Sequence, residues 1–106
     1  MQISTILKEG QLELHLIGEL DHHAARESMR EIGRAIDLNL PRDCVIDLSQ
    51  LRFMDSSGIA VVLNTHKRMT EIGGRAHVIN VPPQPMKVLT ASGVYRIIEI
   101  QEVSQV

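Results

Sequence analysis

Asp47-Leu48-Ser49-Gln50-Leu51-Arg52-Phe53-Met54-Asp55-Ser56-Ser57-Gly58-Ile59, residues 47–59, runs from the end of an apolar segment through a short link into a helix start. The segment before it, residues 44–48, carries β-branched Val45 and Ile46 in a run suited to a short buried strand. Beyond Asp55-Ser56-Ser57, the residues Ile59, Val62, Leu63, Met69 and Ile72 share one helical face with the aliphatic part of His66, and Gly73-Gly74 ends the helix. A strand that feeds a helix N-terminus is the repeating unit of an α/β layer, and open sheets meet ligands and partners at such ends.

On the N-terminal side, residues 2–7 and 11–17 read as strands. Leu12, Leu14 and Leu16 alternate with Glu13 and His15 at the period of two that a half-buried strand needs, and Glu9-Gly10 suggests a hairpin turn. Asp21 then reads as a helix N-cap, because Ala25, Met29, Ile32 and Ile36 follow in one apolar stripe that closes at Pro41. On the C-terminal side, residues 76–81 predict a strand. Pro82-Pro83 opens a short helix through Leu89, Gly93 ends it, and residues 96–100 predict a last strand with frayed residues beyond. A hairpin followed by strand and helix alternation predicts one α/β domain over residues 1–106, a mixed sheet with helices packed on it and right-handed parallel crossovers.

The composition narrows the function. The 106 residues are 43% hydrophobic and 23% charged, as expected of one domain with a single core. A net charge of -2 gives no basic excess for phosphate backbones, and no Trp, one Tyr and one Phe leave no stacking platform, so no direct nucleic-acid partner is expected. Apolar runs such as Ile59-Ala60-Val61-Val62-Leu63 fall far short of the roughly 20 residues that cross a bilayer. Met1-Gln2-Ile3-Ser4-Thr5 shows neither a basic region nor an apolar signal core, so a cytoplasmic protein without membrane contact is expected. Cys44, the single cysteine, sits in an apolar run and reads as an inert core thiol.

The chemistry concentrates at the helix start. Asp55 can cap backbone N–H groups of the first turn, Ser56 and Ser57 present hydroxyls, and Gly58 adds no side chain to obstruct an approaching partner. The partial positive charge of a helix N-terminus stabilises a phosphate, so a kinase could modify this turn. The same residue types also form simple N-caps with no further role. His22 and His23 are adjacent and diverge by about 100° on a helix, unlike a ligating pair four residues apart, so neither a metal site nor a cofactor is expected. Asp47, at a strand end, has no early acidic pair or late lysine to make it a phosphate acceptor and reads as structural.

Three segments resemble a known family: Gly18-Glu19-Leu20-Asp21-His22-His23-Ala24, Phe53-Met54-Asp55-Ser56-Ser57-Gly58-Ile59 and Ser92-Gly93-Val94. In that order, and over essentially the whole chain, they are similar to the anti-sigma factor antagonists of the STAS domain family. Ile59 stands where Leu is common, a conservative departure. The resemblance implies a regulatory binding protein and not an enzyme, with phosphorylation of the serine before the glycine, here Ser57. The family's aspartates match Asp55 and Asp21, which places Asp21, His22, His23, Asp55, Ser56, Ser57 and Gly58 in the switch region.

The implied partners are an anti-sigma factor that is itself a serine kinase and a serine phosphatase that resets the switch. Unphosphorylated protein binds the kinase and frees the sigma factor; phosphorylation separates the two. A phosphoserine brings about -1.5 to -2 charges to a turn that already carries carboxylates, and so weakens the interface. The expected setting is sporulation-specific transcription, with a general-stress version of the same switch as the alternative. A carrier protein modified on the helix-start serine is disfavoured by the strand-like segments, and a serine hydrolase by the lack of Gly-x-Ser-x-Gly around Ser57.

Overall fold

A computed structural model describes residues 1–102 of the chain. Strand β1 (Gln2–Lys8) pairs antiparallel with β2 (Gln11–Leu20). Glu9 and Gly10 between them both have positive φ, 52° and 82°, as the two-residue turns that match strand twist require. Only glycine takes such a φ without steric cost, which explains the placement of Gly10.

Strand β2 forks. Its first half, Gln11 to His15, pairs in parallel with β3 (Asp43–Asp47), and its far end, Gly18 to Leu20, pairs in parallel with β4 (Leu51–Met54) after a register shift at Gly18/Glu19. Strand β5 (Arg75–Val81) lies parallel to β3, and β6 (Glu99–Glu102) lies parallel to β5. The six-stranded sheet therefore has the order β1-β2-β3-β5-β6, with β4 attached to β2 off that path. Helices α1 (His22–Asn39) and α2 (Ser57–Glu71) pack on each other and on the sheet, while α3 (Pro83–Ser92) lies against β4.

The core is the layer between sheet and helices. Leu12, Leu14, Leu16, Ile46 and Val78 from the strands meet Ile32, Ile36, Val62 and Met69 from the helices, all shielded from solvent. Each such side chain stabilises the fold by about 1.5–3 kcal/mol on burial, so this cluster carries most of the favourable energy. Cys44 is fully buried in the same layer, and burial pushes its thiol pKa up to about 12, in keeping with an inert thiol. No helix among the described residues is long and apolar enough to cross a membrane.

The mixed sheet with packed helices is as predicted, but four local expectations are corrected. Residues 51–54 form strand β4 and not part of a link. In α2 the buried face is Gly58, Val61, Val62, Thr65 and Met69; Ile59, Leu63 and His66 are half-buried and Ile72 is exposed. Thr65 can join the buried face because its hydroxyl donates to the Val61 carbonyl at 2.9 Å. The last strand begins later than residue 96, because Gly93 leads into a tight turn at Val94–Arg96 before β6 starts at Glu99. Gln101 and Glu102 belong to β6 and are not frayed; the remainder of the expected frayed tail, residues 103–106, lies outside the described residues.

Candidate functional site

The site forms where the far end of β2 and the end of β4 each run into a helix. Asp21 caps α1: its backbone is extended and its Oδ1 accepts the Ala24 N–H at 3.0 Å. At the start of α2 the cap position belongs to Ser56, which has helical dihedrals and makes no side-chain cap bond. The capping is done by Asp55, whose Oδ1 accepts the Ser57 N–H at 2.8 Å. Its Oδ2 accepts the N–H of His22, the first residue of α1, at 3.1 Å. One carboxylate thus satisfies orphan donors of two helices and ties their N-termini together.

That tie brings the predicted residues together. Asp55 is half-buried, Ser56 is exposed, and Ser57 is half-buried at the first position of α2. His22 and His23 are exposed, with their rings edge to face at 5.8 Å between centroids. Both histidines line one shallow groove with Arg26, Met29, Ala60 and Ser57, so they form part of the surface beside the serine. Asp21 lies one step aside, in a neighbouring groove with Glu19, His23, Glu27 and Glu31.

Gly58 corrects its expected role. It is buried, and a methyl group on it would come within 2.5 Å of Met54 Cγ. The missing side chain makes room for Met54 from below and not for a partner from outside. Asp47 acts as expected of a structural residue: Oδ1 accepts the Ser49 N–H at 2.8 Å and Oδ2 accepts from Asn80 Nδ2 at 3.1 Å. Burial alone would raise its pKa, but the Ser49 and Asn80 hydrogen bonds and nearby His15 outweigh it and hold the carboxyl below its ordinary value.

Sequence reasoning missed the contribution of α3. Ser56 and Ile59 share a mostly apolar groove with Lys87, Val88, Ala91 and Ser92. The Gln84 side chain also bonds the backbone of Met54, one residue before Asp55. No local signal announced this: Ile59 reads as part of the apolar face of α2, and the structure leaves it half-buried beside α3.

Comparison with known proteins identifies the family and the fold. The STAS domain matches residues 2–105. The anti-sigma F factor antagonist of Paenibacillus polymyxa is 34% identical over 102 residues, covering 96% of this chain and 87% of the relative. The solved structure of the anti-sigma factor antagonist SpoIIAA in its unphosphorylated form is similar with a TM-score of 0.79 at 28% identity, covering 93% of this chain and 87% of that one. The phosphorylated form of the Bacillus cell fate determinant SpoIIAA is similar with a TM-score of 0.71 at 28% identity, covering 93% and 90%. The chain belongs to the STAS domain family, among its anti-sigma factor antagonists.

Proposed function

We propose that the chain is a partner switch of sporulation-specific transcription, set by phosphorylation of Ser57. In this reading the unphosphorylated form binds an anti-sigma factor serine kinase and releases the sigma factor. The kinase then transfers phosphate to Ser57 and lets go, and a serine phosphatase resets the switch. The observation that carries the reading is the placement of Ser57: it is the first residue of α2, on the wall of a groove shared with His22 and His23 of α1. Two carboxylates, those of Asp55 and Asp21, already sit at the same helix ends. A phosphate there would favour the helix dipole yet add negative charge to a surface that must face the partner, so the interface weakens while the fold survives. That a relative's structure is known in a phosphorylated form supports the same idea.

The test is titration of the purified chain with an anti-sigma factor serine kinase, first with ADP and then with ATP. A complex with ADP that dissolves with ATP, together with one added phosphate mapped to Ser57, is the expected result. Phosphate on Ser56 alone, or no binding, refutes the reading.

A further inference from the structure

Strand β4 is held by the sheet on one side only, through β2, and among the described residues no strand lies along its other edge. The end of that free edge is nonetheless satisfied. Gln84, on the first turn of α3, accepts the Met54 N–H at Oε1 (2.9 Å) and donates from Nε2 to the Met54 carbonyl (2.8 Å). In an extended strand the N–H and C=O of one residue point to the same side, so a group that bonds both must offer an acceptor and a donor next to each other. A carboxamide does so without charge, and Asn and Gln are the side chains that carry one. The half-buried Gln84 is thus the substitute for a missing strand neighbour at the residue that precedes Asp55.

Building on the reading of Ser57 as the modified residue, we propose that Gln84 is a positioning residue for the serine turn. Met54 is fully buried and its side chain fills the space beneath Gly58. Fixing the Met54 backbone therefore fixes both the entry to the turn and the floor under its glycine. The clamp also joins α3 to the turn, so the groove wall of Val88 and Ala91 keeps a set position relative to Ser56 and Ile59. Loss of the clamp would leave the core in place and let the turn sample conformations in which the Ser57 hydroxyl is misplaced for transfer.

Two variants test this. Gln84→Met keeps the length of the side chain and removes both bonds. Gln84→Glu keeps an acceptor for the Met54 N–H and sets a carboxylate oxygen against the Met54 carbonyl. Native-state amide hydrogen exchange is measured at Met54 and Ser57, with Ile46 and Val78 as references in the central strands. Phosphorylation by an anti-sigma factor serine kinase from a Paenibacillus relative is measured as kcat and KM. In Gln84→Met, exchange at Met54 and Ser57 should quicken by about tenfold or more while the reference amides change by less than about threefold. Gln84→Glu should preserve much of the protection at Met54 and lose it at Ser57. For both variants kcat should fall about tenfold with a smaller change in KM. Unchanged exchange at Met54 and Ser57, a uniform rise across all strands, or altered exchange with an unaltered kcat would each overturn the proposal. A kinase that leaves the unsubstituted chain unmodified would refute Ser57 phosphorylation itself, and a positioning role in transfer with it; the exchange data would still show whether the clamp holds the turn.

Discussion

Replacing Asp55 with alanine should loosen two helices at once. The carboxylate accepts one backbone N–H from each: Ser57 at 2.8 Å and His22 at 3.1 Å. A hydrogen bond to a charged group is worth roughly 1.5–3 kcal/mol, and the half-exposed position argues for the lower end, so two bonds amount to about 3–4 kcal/mol. For a domain of this size each kcal/mol lowers Tm by roughly 4–8 °C, which places Asp55→Ala about 10 °C or more below the unsubstituted protein. Asp55→Asn keeps one acceptor oxygen but turns an amide donor toward the other N–H, so it should lose about half as much. Asp21→Ala is the control, because it removes one N-cap bond from α1 alone and should cost about 1 kcal/mol. Thermal unfolding gives the totals, and amide exchange at His22 and Ser57 shows where they arise. If Asp55→Ala costs less than about 1 kcal/mol, or frees only the Ser57 amide, the carboxylate does not join the helices and the argument fails.

Other perturbations have equally direct outcomes. Gly58→Ala should destabilise by about 1–3 kcal/mol in urea unfolding, despite alanine's better helix propensity, because its methyl group would overlap Met54; a neutral result would mean that Met54 repacks freely. Asp47→Asn should lower stability at neutral pH. Because the native pKa of Asp47 is depressed, its contribution is complete above the unfolded value of about 4 and fades as the pH falls through the native one, so the gap to the unsubstituted protein should close in acid. Cys44 should react with a thiol reagent only as fast as the protein unfolds, since it is buried with its pKa pushed up to about 12; prompt labelling of native protein would contradict this. Ser57→Asp should bind the anti-sigma partner about tenfold more weakly or worse, a loss of about 1.4 kcal/mol, while Ser57→Ala should bind and resist phosphorylation. Calorimetric titration of both distinguishes charge from shape at the turn.

Much of this architecture could be read from the residues because local pattern and tertiary packing agree. The alternation of Leu12, Leu14 and Leu16 marks β2, and Asp21 ahead of an apolar stripe marks α1. The serine turn was legible as a helix start, but Asp-Ser-Ser-Gly alone reads equally well as a plain N-cap, and only the resemblance to the family singled out Ser57. Strand β4 was hidden because it buries Leu51 and Met54 and exposes Arg52 and Phe53, a spacing of three that no half-buried strand pattern predicts. The buried face of α2 was misjudged because hydrophobicity pointed to Ile59, Leu63 and Ile72, while the packed surface includes Gly58 and a self-satisfied Thr65. The second helix tied by Asp55 and the clamp from Gln84 span 33 and 30 residues of sequence, and no local signal announces contacts at such range.

The fork in β2 makes the end that carries the serine turn an overhang. Past His15 the strand leaves its pairing with β3, and beyond that point it carries only the short β4 ladder on that side. In mechanical terms the sheet is the wall and the serine turn is the free end of a bracket, braced by β4 below and by the axis of α2. That second brace ends on the frame itself, because α2 packs against β5 and against α1, so the tip is joined to the central β3–β5 seam through a helix as well as through the β4 ladder.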